Sequence, residues 1–586
     1  MIKLLRYMKK YWYIAIFGPI FMVVEVLMDM VLSSYMAKMV DNGIMTGNIE
    51  NVIKYGLIML LIVFVGVIGG ILSGAFTNIA SFKFSNDLRK DVFKKIMELS
   101  YNQTDDFNTG SLVTRVTNDI TQVQNMISQA LRGFIRALSF FVLGIFFTLS
   151  ISSNFGIILA VLLPLEVGVL VVFMKLVFPI FSVIQKKLDK VNTVVHENVS
   201  GARVVKAFGK EDYEYNRFVE TNNDYTASSL YVGKTAAFLM PTLMFIIYAS
   251  QFVIYYIGGN TIIDAFRDVT KIGDMITVGQ ISQAVTYINM ICFSIMMLGM
   301  TFTNMARAIA SAKRINEVLD CELEITSGTY NIGDTGLHGS LVFDNVCFAY
   351  PKSNGNVLNN INLTIKQGQT IAIVGSTGCG KSSLVNLIPR FYDTTFGEIY
   401  LNGVNIKEYD LYDLRNRIGI CLQKAELFKG TIKENVKWGK EDATDEEVIL
   451  ACQIAQASEF IENKELGYDE IVEAKGTSLS GGQKQRLSIA RAILKKPEIL
   501  IFDDSTSALD LVTESKLHDA MRKYLADTTK IIVAQRIATA KNADFIAVID
   551  NGSIVDYDTH ENLLKNSAIY QDIYYSQLKE DKIYEW

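Results

Sequence analysis

Apolar residues crowd positions 12 to 305, whereas from Gly339 onward short apolar runs alternate with turns and helical patterns. A bilayer core needs about 20 mostly apolar residues per helix. Stretches of that kind lie near 12–37, 54–80, 127–151, 155–181, 233–258 and 279–305, so the pattern predicts six membrane-spanning helices. The links alternate between brief (around 41–52 and 152–154) and long, polar and helical (81–126 and 182–232). The segment 258–279 holds Asp264, Arg267, Asp268, Lys271 and Asp274 and is read as a solvated external loop. An even number of spans puts both chain ends on one side. The scattered cysteines fit a reducing cytosol, and Lys3, Arg6, Lys9 and Lys10 place the N-terminus there too. No small-residue cleavage site follows these lysines, so the first apolar run is read as a retained span.

Charges within the spans are few: Glu25 and Asp29 in the first, Arg132 and Arg136 in the third, Glu166 and Lys175 in the fourth. An ionisable side chain inside a membrane is expensive and therefore suggests function. Glu25 and Asp29 are four residues apart and share a helix face. They are read either as contacts for a cationic substrate in an internal cavity or as structural pairing. Arg132 and Arg136 share a face as well, close enough to a span start to reach headgroups.

The polar half carries phosphate chemistry. The buried-strand run Thr370-Ile371-Ala372-Ile373-Val374 leads into Gly375-Ser376-Thr377-Gly378-Cys379-Gly380-Lys381-Ser382, and a helical pattern follows from Ser383. Strand, glycine loop and helix in that order make a P-loop. Its N–H groups and the helix N-terminus cradle phosphates, Lys381 reaches the β- and γ-phosphates and Ser382 ligates Mg²⁺. A second strand, 499–502, delivers Asp503 to the magnesium shell. Before it stands Leu479-Ser480-Gly481-Gly482-Gln483, whose glycines allow close backbone approach and whose serine opens a helix.

Six spans followed by such a domain on one polypeptide resemble the ATP-binding cassette (ABC) exporters, over nearly the whole chain. The resemblance implies an α-helical transmembrane domain with two coupling helices over 1–318, a linker over 319–337, and an α/β P-loop ATPase domain over 338–586. It makes 479–483 the signature motif, which contacts the γ-phosphate of ATP held by the opposite subunit. It makes Tyr350 the aromatic that stacks on adenine, Ser383 part of the nucleotide cradle, and Gln423 the glutamine that senses Mg²⁺. Ser507-Ala508-Leu509-Asp510 become the D-loop, and 109–119 and 197–208 the coupling helices. The expected cofactors are ATP and Mg²⁺.

Two positions depart from the family. Hydrolytic members place glutamate where this chain has Asp504, one methylene shorter, and histidine where it has Gln535, which cannot carry positive charge. The four histidines lie elsewhere, at 196, 338, 518 and 560. Loss of a placed general base costs about 10²–10⁴ in rate. With every binding residue kept, this reads as the degenerate-site subunit of a heterodimeric multidrug exporter in the cell membrane. Its partner would be a second ABC half-transporter and its substrate a small amphipathic compound. The alternatives are a homodimeric exporter of lipid, peptide or tetrapyrrole, an exporter-fold importer of a siderophore-like ligand, and an ATP-binding sensor that transports nothing. A formal charge of −5 and the lack of a basic tract give no reason to expect nucleic acid.

Overall fold

The computed structural model describes residues 1–267, 276–330, 338–351, 353 and 355–583. The chain divides into two compact units: Met1–Met97 with Gly110–Cys321, and Glu98–Thr109 with Glu322–Trp586.

Among the described residues of the first unit, six helices are long and apolar enough to cross a membrane: Leu4–Ile44, Ile49–Glu98, Thr109–Ile151, Ser153–Val177, Glu211–Asp264 and Val278–Gly299. The first two approach closely because their shared face is built of small residues. Ser73 donates to the Gly18 carbonyl at 2.9 Å, and a side chain at Gly69 would meet the Phe21 carbonyl oxygen at 3.2 Å. Without a hydrophobic driving force between helices in lipid, such close packing supplies the attraction. The sixth span is anchored to the first at two depths. The buried Tyr287 hydroxyl donates to the Met30 carbonyl at 2.8 Å, and Asp41 accepts from the Thr277 hydroxyl (2.5 Å) and the Gly279 N–H (2.8 Å). The bases of spans three and six are joined by Arg314 on Asp119 and by Arg115 on Glu317 (3.1 Å).

Around 109–119 the structure corrects the expected small, separate helix. Thr109–Thr114 and a π-helical turn over Arg115–Asp119 run directly into the third span. The free-standing short helix lies earlier, at Tyr101–Phe107, where Ser100 and Gln103 form a reciprocal cap. The second stretch does hold a short separate helix, Ala202–Ala207, preceded by Gly201. Of the expected external loop, 258–267 is a continuation of the fifth helix, and 268–275 lies outside the described residues. So does 331–337 of the expected linker.

The second unit is built on a six-stranded sheet ordered Ser553–Asp558, Phe545–Asp550, Thr370–Gly375, Thr529–Val533, Ile499–Asp503 and Ile418–Cys421, parallel except at the first, edge strand. Its central strands are apolar throughout because both faces are covered. Alternation sends Ile371, Ile373, Ile499, Ile501 and Ile531 into one core and Ala372, Val374, Leu500, Phe502 and Ile532 into the other. A four-stranded antiparallel sheet abuts the first of these cores, its Leu341–Phe348 strand pairing with Leu358–Ile365 and Phe396–Leu401. Open α/β sheets bind ligands beyond the carboxyl ends of their strands. Here those ends carry Gly375, Asp503 and, just past Val533, Gln535, on three neighbouring strands.

Candidate functional site: a phosphate cradle with an amide-occupied carboxylate

The P-loop turns on glycines that a side chain would strain. Gly378 and Gly380 have φ of +86° and +102°, and a Cβ on Gly380 would also press on Leu358 at 2.8 Å. That turn aims the helix Lys381–Leu387 at the loop it follows. Lys381 Nζ donates to the carbonyls of Gly375 (2.8 Å) and Ser376 (2.7 Å) and lies 3.8 Å from Cys379 Sγ, so its ammonium sits over the cradle.

Ser382 Oγ donates to Asp503 Oδ1 at 2.7 Å. Asp503 ends its strand almost fully buried, and this burial pushes its carboxyl above the ordinary range, opposed by the Ser382 hydroxyl and reinforced by Asp504. A hydroxyl and a carboxylate are the hard oxygen donors Mg²⁺ prefers, and Mg²⁺ takes few protein ligands when phosphates supply the rest. Among the described residues no cluster of three His, Cys, Asp or Glu competes for another metal. Ser382 and Asp503 therefore fit Mg²⁺ beside a nucleotide.

Asp504 adopts φ +51°, a left-handed conformation that aspartate tolerates far better than longer side chains. One of its oxygens, Oδ2, accepts from two amides: Gln535 Nε2 at 2.5 Å and Gln423 Nε2 at 3.2 Å. Ser507 Oγ donates to the Asp504 carbonyl at 2.9 Å and so ties the D-loop to the same residue. The structure thus gathers Gln423, Asp503, Asp504 and Gln535 beside Lys381 and Ser382. Both amide donors are neutral, so the carboxylate is hydrogen-bonded without a cationic partner among these contacts.

Tyr350 packs edge-on against Phe348 and Tyr392, with ring centroids 4.8 and 5.3 Å away, and its hydroxyl meets Ser383 Oγ at 3.0 Å. The aromatic is therefore fixed to the first turn of the P-loop helix. Ser376 and Thr377 lie in the loop itself. The segment 480–483 stands apart. Ser480 caps Gly481–Leu494, its Oγ accepting from the Gln483 N–H at 3.3 Å while Gln483 Oε1 accepts from the Ser480 N–H at 3.0 Å. Gly482 approaches the Ala508 carbonyl of the D-loop, and among the described contacts none links 480–483 to this chain's own P-loop.

In the first unit, Glu25 and Asp29 line one cavity of about 460 Å³ together with Arg132 and Arg136. Arg136 pairs with Glu25 at 3.4 Å. The arginine couple, read from sequence as able to reach headgroups, thus faces the acidic couple. Span two makes the room: a Cβ on Gly70 would lie 3.0 Å from Glu25 Oε2, and one on Gly74 3.3 Å from Arg132 Nη1. Glu166 is fully buried beside the Cys292 thiol, whereas Lys175 is exposed.

One feature escaped sequence reasoning. Gln577, in the C-terminal helix Ala568–Ile583, donates to the Gln535 carbonyl at 2.7 Å and accepts from the Ile537 N–H at 2.8 Å. No local pattern marks a polar residue on a terminal helix as a partner for a loop 42 residues earlier.

Comparison with known proteins extends these observations. Residues 15–296 match the ABC transporter transmembrane region, and residues 358–507 match the ABC transporter family. An uncharacterized ABC transporter ATP-binding protein of Bacillus subtilis is 36% identical over 576 residues, covering 98% of each chain. A second B. subtilis protein, provisionally named for multidrug export as an ATP-binding/permease protein, is 33% identical over 83% of each chain. An ATP-dependent lipid A-core flippase of Syntrophus aciditrophicus is 32% identical over 85% of this chain and 81% of its own. The solved structure of a bacterial Atm1-family ABC exporter with ATP bound superimposes with a TM-score of 0.78 at 24% identity, covering 96% of this chain and 98% of that one, a likeness of fold.

Proposed function

The chain belongs to the ABC transporters, as an exporter-type half-transporter with fused transmembrane and ATP-binding domains, and from that premise we propose that it is the weakly hydrolytic half of a heterodimeric exporter of small amphipathic compounds. The observation carrying this reading is the hydrogen bonding at Asp504. A general base must present a free lone pair to water within hydrogen-bond reach. Two amides on Oδ2 leave Asp504 only its other oxygen to meet water, and its carboxylate is one methylene short of a glutamate's. Histidine at 535 would add a positive charge near the transferred phosphoryl group; Gln535 adds a dipole only.

The binding parts remain. Lys381 and the loop N–H groups hold phosphate oxygens, Ser382 and Asp503 hold Mg²⁺, and Tyr350 offers a ring to adenine. Mg²⁺, when bound, neutralises phosphate charge. The capped 480–483 segment, which has no contact with its own P-loop among the described contacts, is suited to the γ-phosphate of ATP on a second subunit. Such a site retains ATP and keeps two ATPase domains together, while the partner's site turns over and substrate is released outward. The ATPase domain and both termini lie in the cytoplasm on this reading, and the spans in the cell membrane.

The test is ATP hydrolysis by the purified chain in lipid, alone and co-purified with its genomic neighbour. The chain alone is expected to run about 10²-fold or more below the pair. Equal specific rates would make it a homodimeric transporter.

A second reading, movement of a charged lipid, is favoured by two observations: the 460 Å³ cavity carries both signs of charge, and one named relative is a lipid flippase. Asp29→Asn is expected to lower vesicle uptake of a cationic amphiphile about tenfold with ATP binding unchanged, because among the described contacts Arg136 pairs with Glu25 and the Asp29 carboxylate is left to meet a cation. If uptake of an anionic lipid analogue falls instead on Arg132→Gln, with the cation unaffected, the lipid reading replaces the amphiphile reading.

A further inference from the structure

The loop around Gln535 is short of local support. The helix that follows, Ile537–Ala540, is preceded by Arg536, which makes no capping hydrogen bond. Helix starts leave backbone N–H groups without intrahelical partners, and these must be satisfied from elsewhere. Here the partner comes from the end of the chain. The Gln577 amide spans the loop, accepting from the Ile537 N–H and donating to the Gln535 carbonyl. A carboxamide is the side-chain group that can do both at once on two backbone groups two residues apart.

The platform behind Gln577 is firm. Tyr570 of the same helix is fully buried, with its hydroxyl 2.7 Å from His560 Nδ1, and Gln571 Nε2 donates to the Leu564 carbonyl at 2.8 Å. The loop in turn reaches two parts of the ATP site. The Gln535 side chain bonds Asp504, and Arg536 lies 3.4 Å from the Ser507 and Leu509 carbonyls of the D-loop. A continuous set of contacts therefore runs from the C-terminal helix through Gln577 to the backbone that aims Gln535.

We infer that Gln577 is a positioning residue for the ATP site: its amide fixes the backbone at 535–537, so that the Gln535 side chain is directed at the γ-phosphate position beside Asp504. This rests on the reading above that Gln535 brings a dipole near the transferred phosphoryl group, and takes its amide, which bonds Asp504 here, to donate to that phosphate when ATP is bound. It adds that the C-terminal helix sets how well the site distinguishes ATP from ADP, which differ at the group Gln535 would touch. Gln577 has no direct contact with nucleotide in this scheme and acts through the loop.

The test uses the full-length chain with its partner in lipid nanodiscs, in EDTA so that hydrolysis does not intervene. Photolabelling of this chain by 8-azido-ATP is competed with ATP or with ADP. Gln577→Met, equal in length but without either hydrogen bond, is expected to weaken ATP competition about 3- to 10-fold, the scale of one or two lost hydrogen bonds. ADP competition should stay within about twofold, as should the nucleotide-free melting temperature to within a degree or two. Gln577→Glu keeps the acceptor for Ile537 but turns the donor into a repelling oxygen, and should reproduce the same selective loss. Gln535→Ala provides the control. If it abolishes ATP over ADP preference while both Gln577 variants leave it intact, the positioning role is overturned and the reading of Gln535 stands. If Gln535→Ala leaves the preference unchanged, both fall. Equal weakening of ATP and ADP in the Gln577 variants makes the contact merely structural and also overturns the inference.

Discussion

Asp504→Glu combined with Gln535→His is expected to raise the ATPase rate of the purified chain in lipid by about 10²-fold, with the single change Asp504→Glu giving roughly 10-fold. The extra methylene carries the carboxylate toward water, and histidine replaces one of the two amides that hold Asp504 Oδ2. The backbone opposes the change modestly. At φ +51° a glutamate is less at ease than aspartate, costing about 1 kcal/mol of local strain. That cost falls on stability, so a slightly lower melting temperature should accompany the faster rate. Phosphate release at saturating ATP measures it. A double variant as slow as the parent would mean that the deficit lies elsewhere than in these two side chains, and the degenerate-site reading would go with it.

The second large effect separates what this chain does for its own ATP from what it does for its partner's. Gly481→Asp is expected to reduce ATPase activity of the co-purified pair by about 10²–10³, the scale for losing an electrostatic contact to the reacting phosphate. Asp504→Asn in the same pair should change the rate by less than about twofold, because on this reading Asp504 contributes little base catalysis. Gly481 suits the purpose since a Cβ there meets nothing within 4 Å, so its fold tolerates the change while a carboxylate enters a phosphate-facing helix start. Gly482 would confuse the result, because a Cβ there would meet the Ala508 carbonyl oxygen at 3.2 Å. If Asp504→Asn silences the pair as thoroughly as Gly481→Asp does, both sites hydrolyse and the asymmetry is refuted.

Much of this molecule is legible residue by residue. Six apolar stretches of membrane-crossing length appear as six long helices, because the requirement to satisfy every backbone group within lipid leaves the chain no other choice. The strand–glycine–helix order at 370–387 is equally local: an apolar run buried on both faces, glycines at positive φ, then a helix start. Asp504 and Gln535, standing where the resemblance leads one to expect glutamate and histidine, are visible by inspection, and so is the four-residue spacing of Glu25 and Asp29.

Sequence reasoning placed the short helix of the first long polar link at 109–119, whereas the chain continues those residues into the third span and sets the separate helix at Tyr101–Phe107. The capping pair Ser100 and Gln103 was a local signal for that start. Other features have no local signal. Gln423 and Gln535 meet one oxygen of Asp504 across separations of 81 and 31 residues, Arg136 turns to Glu25, and Gln577 holds the loop before Ile537. Periodicity and turn chemistry report what a segment prefers within a few residues of itself. Which amide reaches which carboxylate is set by sheet register and by helices docked on shared cores, and that physics belongs to the folded whole. The sequence by itself determined the apolar spans, the phosphate loop and the identities of residues 504 and 535. The tertiary structure decided that Asp504 is held by neutral amides and that the chain's last helix steadies one of them.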